Sequence, residues 1–558
     1  MKNKFVDYLN SLNNVSACNE NAYAESNYSN EYYKYVEVKR GIGKHIIKIL
    51  ENEEPCIIIL TGHAGDGKTS LLFQVMHELG CIEDNNLKMT DEVTLPSGKQ
   101  CYYVKDFSEI SEKLDKMKDM LSYVENGKFV FLVANTGPLI NSFVDVMPEE
   151  NRDEAHRLII DLIDANKGKI ENILGYKICS INVATVDNTG FVREFINKIT
   201  NDKLWEDCNM CEKKDNCFIY NNVELIRKNK NQVSDFLSNH YLWQQEHDKK
   251  LTIRQIAAHL SFMISGARSC DNIKLNDDKY KYLFSNLLFG YEGYSLSIAA
   301  SRLKAIEEIK NNKYDIKKTF VDEKLFINND FKDLTEDIRE YFKYEGKKNG
   351  YNLDWQKSIK RAYLLMNIET DKEKKELLQK NIFSKWFTRY KELIKGESVI
   401  ANDEKLIIDA LWMLFVGNLS NDKEIPITMK REKGVMQNVQ ITIATLSKKS
   451  IRLKTCDEIS LKVDMIDENY KGIYIYIHGK KVDTHISLPL FNYFEDIRKG
   501  IISTNIDPKL SRGLDAIKAQ ILKYALEDID REDYEISIYS DEEIEFIIDK
   551  IDNILTIN

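Results

Sequence analysis

Residues 56–72 read CIIILTGHAGDGKTSLL, and the reading of this stretch decides the fold. Ile57–Leu60 form a short continuous apolar run, as in a strand buried on both faces. Gly62, Gly65, Gly67, Lys68 and Thr69 then keep the G-x-x-x-x-G-K-[ST] spacing, and a helical apolar pattern starts at Lys68. Strand, glycine-rich turn and helix start in this order predict a P-loop. Glycines let backbone N–H groups close around phosphate oxygens, because no Cβ blocks the approach. Gly62, His63, Ala64, Gly65, Asp66, Gly67, Lys68, Thr69 and Ser70 are the candidate nucleotide-binding residues. Lys68 is expected to reach the β- and γ-phosphates of ATP, and the Thr69 hydroxyl to hold Mg²⁺. The positive end of the following helix adds to the same anion site.

Two later strands offer polar groups to this loop. Tyr102–Val104 is a short apolar run leading to Asp106, placed as a second Mg²⁺-organising carboxylate would be. The residue after Asp106 is Phe107 rather than the expected catalytic Glu, so Glu109 is the candidate base if the turn presents it. The plainer alternative is a strand end followed by a helix over Ser108–Glu125 with Ser108 as its N-cap. Phe129–Ala134 is an all-apolar strand ending at Asn135, whose amide can donate and accept beside an attacking water. A helix over Glu149–Ala165 and a strand over Tyr176–Val186 continue the pattern. The expected class is α/β, with a mostly parallel sheet and both faces covered. The helical pattern at Val36–Leu50 is either a wall for adenine or a packing helix. Arg193 reads as an arginine finger across an interface between copies or, the commoner case, as a solvent-facing arginine.

Cys208, Cys211 and Cys217 follow in C-x2-C-x5-C spacing within a polar stretch. Thiolates so spaced converge on Zn²⁺, and a fourth ligand is required; Cys270, His240 and Cys179 are the candidates, with Cys270 preferred for its turn-like surroundings. Reduced, unmetallated thiols are the alternative. Thr252 and Gly266 predict the caps of a helix. With the helical patterns that follow, it reads as a lid of the AAA+ kind, from which Arg254 or Arg268 reaches the nucleotide. His259, on its apolar face, reads as a core histidine.

The chain divides into a helix and connector over 1–35, an ATPase core over 36–250 with the cysteine-rich insertion at 205–221, a helical lid over 251–334, a helical domain over 335–422 and a β-rich domain with terminal helices over 423–558. Residues 311–335 read as a linker or surface excursion. Lys347, Lys348, Lys357, Lys360 and Arg361, interleaved with Tyr351, Trp355 and Tyr363, read as a solvated helical face, or alternatively as a surface for a phosphate backbone and stacked bases. Strands are expected at 425–429, 439–446, 459–465, 472–478 and 484–488, and the acidic tail from Glu527 is expected to meet protein rather than DNA.

The 558 residues carry a net charge of −10, so the whole chain is no electrostatic glove for nucleic acid. No apolar run reaches membrane-spanning length, the first residues lack a signal-peptide pattern, and the ten cysteines are scattered; a cytoplasmic protein with reduced thiols or metal ligands is expected. The order of P-loop, Asn135, Cys208–Cys211–Cys217 and the Thr252-x-Arg254 helix resembles the DptF family, the ATPase component of bacterial phosphorothioation-dependent DNA restriction systems. The resemblance spans residues 40–290, and only the P-loop is highly specific. It implies an ATP-dependent anti-phage defence subunit working beside other restriction subunits, with DNA met through the complex and a homo-oligomer open. The missing Glu beside Asp106 leaves a second reading, a nucleotide-gated scaffold or oligomerising signalling ATPase with little turnover.

Overall fold

The computed structural model describes residues 2–13, 30–82, 87–275, 278–417, 419–428, 439–457, 464, 470–501, 506–527, 534–539, 543–551 and 554–557. The chain forms two units. The first is Met1–Ile382 together with Ile459–Glu468, and the second is Phe383–Glu458 with Asn469–Asn558.

At the centre of the first unit is a six-stranded sheet: β1 (Ile57–Thr61), β2 (Thr90–Thr94), β3 (Gln100–Val104), β4 (Phe129–Val133), β5 (Ile170–Ile173) and β6 (Tyr176–Asn182). Its order is β2-β3-β4-β1-β6-β5. The inner strands β3, β4, β1 and β6 are parallel, while β2 and β5 pair antiparallel at the edges. The class expected from the sequence is therefore present, as a mixed and mostly parallel sheet. The two edge strands escape the sequence because they are short, polar and half exposed.

Alternation along β1 builds a core on each face. Ile58 and Leu60 pack with Ile42, Ile46 and Leu50 of α2 (Gly41–Asn52) and with Leu71, Leu72 and Val75 of α3 (Lys68–Glu78). Ile57 and Ile59 face the other way, onto α4 (Lys113–Glu125), α5 (Thr136–Val146) and α6 (Arg152–Ala165). The sheet is thus covered on both sides, which fixes its register and leaves the carboxyl ends of its parallel strands as the open edge.

The remaining helices of this unit include α7 (Thr189–Ile199), α8 (Phe218–Lys228), α9 (Lys230–Glu246) and α10 (Ile253–Ser265). A capping box between Thr252 and Gln255 starts α10, and Gly266 ends it at φ +58°. Both caps are as the sequence predicts. The amino-terminal helix, α1 (Lys4–Leu12), packs along α10, and Ser265 Oγ donates to Asn10 Oδ1 at 2.7 Å.

Three expectations fail here. The helix after Asp106 starts at Lys113 rather than Ser108. A 3-10 turn over Phe107–Glu109 intervenes, because the Asp106 carboxylate accepts from the Ser108 N–H. Residues 311–335 are no linker: Tyr314, Val321, Leu325, Phe331 and Leu334 are buried. The basic face at 347–361 is neither solvated nor open to nucleic acid at its centre. Lys360 and Arg361 are each 2% exposed and pair with Asp322 at 2.6 Å and Asp315 at 2.8 Å. Trp355 and Tyr363 are buried beside them.

In the second unit, Ile451–Asp457 and Lys471–Ile477 pair antiparallel. A separate five-stranded sheet joins Glu424–Thr428 and Val439–Ser447 to three strands near the carboxyl terminus. Those strands, Tyr534–Tyr539, Glu543–Ile551 and Ile554–Ile557, follow the helices Leu488–Arg498 and Pro508–Leu526, so the unit does not end in helices as expected. Residues 484–488 form no strand, and the strand expected at 459–465 lies outside the described residues apart from Asp464. Among the described residues no helix is long and apolar enough to cross a membrane.

Truncating one partner of a buried ion pair strands the other charge. Arg361→Ala is expected to destabilise the protein by roughly 3 kcal/mol or more, read as a lowered urea midpoint; a change within experimental error would refute a structural role for this arginine.

Candidate functional site around the glycine loop

Strand β1 ends at buried Thr61 and the chain turns at Gly62. Gly62 has φ +144°, and a Cβ there would lie 2.7 Å from Val183 Cγ2, so only glycine lets the loop lean on the turn that follows β6. Gly65, at φ +92°, is equally confined: a Cβ would meet Thr252 Oγ1 at 3.0 Å and Arg254 Cβ at 3.3 Å. The Arg254 N–H donates to Gly65 O at 3.2 Å, so the start of α10 is fastened to the loop itself. Within the loop, buried Asp66 accepts from the His63 N–H at 2.8 Å through Oδ2. His63 and Ala64 are exposed, while Thr69 and Ser70 are half-buried in the first turn of α3. No side chain caps α3, which leaves its first-turn N–H groups facing the loop.

Lys68 Nζ donates to Gly62 O at 2.8 Å, His63 O at 3.0 Å and Asn135 Oδ1 at 3.2 Å. Strand β4, adjacent to β1, delivers Asn135; its side chain caps nothing and is free for this contact. One strand further, β3 delivers Asp106. Its Oδ1 accepts from the Ser108 N–H at 2.9 Å, and Ser108 Oγ accepts from the Asn135 N–H at 3.3 Å. The Asp106 charge acts on Lys68, so Lys68, Asn135 and Asp106 are brought together. Glu109 is exposed on the turn beyond, and its charge is felt at Lys105.

Behind the loop stand two basic residues that sequence reasoning missed. Arg40, 5% exposed, donates through Nη1 to Asp66 O at 2.9 Å and through Nε to Asp464 at 2.7 Å. Its backbone exchanges two hydrogen bonds with Gln74 of α3. Lys250 donates to the carbonyls of Val183 at 3.0 Å, Ala184 at 2.7 Å and Val186. Burial pushes its ammonium down to about 8, against the pull of Asp66. Burial also lowers Lys68, and burial alone lowers Arg254. Among the described residues, none of Lys68, Lys250 and Arg254 has a carboxylate within ion-pair distance.

The other predicted arginines are engaged elsewhere. Arg268 pairs with Glu292 at 2.6 Å and lies over the Tyr282 ring, and Arg193 pairs with Asp235 at 2.6 Å on the surface. Cys208, Cys211, Cys217 and Cys270 lie within electrostatic reach of one another. Burial pushes the Cys208 thiol up to about 11 and raises Cys217 and Cys270. Asn3 links two of them, donating to Cys208 Sγ at 3.5 Å and accepting from Cys270 Sγ at 3.8 Å. Among the described residues, no three His, Cys, Asp or Glu side chains are grouped to hold a metal ion. Of the other fourth ligands considered, Cys179 is buried in the sheet core and His240 bonds Tyr314, so neither joins the cluster.

No family model, no curated protein and no solved structure matches the chain.

His259 anchors α10. Its Nε2–H donates to Leu288 O at 2.8 Å, so Nδ1 must accept from the Tyr241 hydroxyl at 2.9 Å. Burial pushes this imidazole down to about 4. The unfolded state then takes up the proton first, and stability falls as pH drops from about 6.5 towards 4. His259→Gln is expected to flatten that fall by up to one proton, measured as urea midpoints across this range; an unchanged slope would show that His259 does not titrate so.

Proposed function

We propose that the glycine loop binds the phosphates of a nucleoside triphosphate, ATP being the expected one, and that the first unit is a P-loop ATPase of AAA+ type. One observation carries this reading: among the described residues, Lys68, Lys250 and Arg254 gather around the loop without a carboxylate partner. Positive charge in that state attracts a polyanion, and open helix N–H groups add to the attraction. Lys68 would exchange its bonds to the loop carbonyls for phosphate oxygens. Thr69 and Asp106 are the residues that would hold Mg²⁺, whose chemistry is to neutralise charge developing on the transferred phosphate. Asn135 would orient the attacking water, and Arg254 would bind the outer phosphate.

The wider setting we propose is that of a nucleotide-driven subunit in a bacterial DNA restriction complex, which rests on the order of sequence motifs across 40–290. A second reading, a nucleotide-gated scaffold with little turnover, is favoured by one observation: Glu109, the acid offered after Asp106 as a base, is exposed on the turn beyond Asp106. We also propose that Cys208, Cys211, Cys217 and Cys270 take a structural Zn²⁺, for which side-chain rotation must bring the sulfurs to about 2.3 Å from one centre. The spacing and mutual reach of the thiols support it.

Lys68→Ala is expected to abolish binding of a fluorescent ATP analogue and any ATP hydrolysis; wild-type binding in that variant would refute the site. Elemental analysis of the purified chain should find one zinc per molecule, falling in Cys270→Ser; less than a tenth of an equivalent in the wild type would refute the metal.

A further inference from the structure

Lys250 is the least expected of the three cations, because nothing in its sequence neighbourhood sets it apart. It sits two residues before the capping box of α10, and its ammonium reaches the 3-10 turn Val183–Thr185 that follows β6. That is the turn on which Gly62 leans: a Gly62 Cβ would also lie 3.2 Å from the Ala184 N–H nitrogen. A second tie runs alongside, from Asn188 Nδ2 to Leu251 O at 3.2 Å. Four residues after Lys250, the Arg254 N–H holds Gly65 O. A single short segment, 250–254, therefore grips the turn beneath one end of the glycine loop and the carbonyl at its middle.

Three carbonyl oxygens solvate the ammonium, but none neutralises it. Among the described residues, the charged groups that act on it most are Asp66 of the loop, Asp187 before α7, Asp464, and Arg40 before α2. The three carboxylates favour its charge and Arg40 opposes it, yet none of the acids comes within ion-pair distance. We propose that Lys250 is a positioning residue of the phosphate site, whose ammonium clamps the β6 turn to the α10 start and supplies charge that a bound polyphosphate stabilises. The inference rests on the nucleotide reading above and adds a dependence that reading does not require.

The sign follows from linkage. An anion bound nearby favours the protonated amine, so binding takes up protons wherever Lys250 is partly neutral, and affinity falls as pH rises through its titration. The amine titrates near 8, within a range where the protein can be assayed. Lys68 is also lowered by burial, and only variants at Lys250 separate the two.

The test titrates the full chain with a fluorescent Mg·ATP analogue from pH 7.5 to 9.5. Wild-type affinity should weaken about tenfold across these two pH units, within the limit of tenfold per unit that one linked proton sets. Lys250→Arg, charged throughout, should show little of that dependence. Lys250→Met should bind more weakly than wild type at pH 7.5 and should also lose the dependence. A pH-independent wild type, or either variant retaining the wild-type profile, overturns the assignment while leaving the nucleotide reading intact. Failure of the wild type to bind at any pH overturns the nucleotide reading, and this inference with it.

Discussion

The loop at 62–69 is confined on two sides, and the site depends on that confinement. Gly62 lies too close to Val183 for a Cβ, and Gly65, at a positive φ, leaves only a tight space against Thr252 and Arg254. The loop therefore cannot be a loose surface turn. Its carbonyls and N–H groups are set by the β6 turn on one side and by the start of α10 on the other. Because β1 is buried between β4 and β6, the sheet register passes straight into the loop's position. The polar groups that matter, Asp106 and Asn135, then arrive at the same edge simply because neighbouring parallel strands end there.

Electrostatics adds a second constraint. A folded protein ordinarily pairs its buried cations, and this one does so at several places, although half-buried Lys317 and Lys213 also rest on backbone carbonyls. Arg361 finds Asp315, Lys360 finds Asp322, and Arg389 makes a forked contact with Asp403. Around the loop, three cations lack a carboxylate partner among the described residues. Lys68 and Lys250 are satisfied by carbonyls and an amide, which solvate charge without cancelling it. Cations held in a low-dielectric cleft without an ion-pair partner mark a candidate functional site.

The legible part of this molecule was whatever depends on short sequence distance. The strand–loop–helix at 56–72, the apolar strand before Asn135 and the caps of α10 were readable because spacing alone encodes them. What failed depended on partners far along the chain. Lys360 and Arg361 look like a basic surface until Asp322 and Asp315, about forty residues earlier, close over them. Residues 311–335 are rich in polar side chains, yet tertiary packing buries one apolar residue every few positions. Arg40 and Lys250 were invisible for the same reason: their roles are defined by the carbonyls of Asp66 and of the β6 turn. Edge strands β2 and β5 carried no periodic signal because half of each faces water.

The central claim is that the 62–70 loop and the 250–254 segment together receive a nucleotide. Amide hydrogen exchange of the full chain, with and without Mg·ATP, addresses it most directly. Nucleotide should slow exchange in peptides covering both segments. Unchanged exchange in both, under conditions where the nucleotide is shown to bind, would contradict the account.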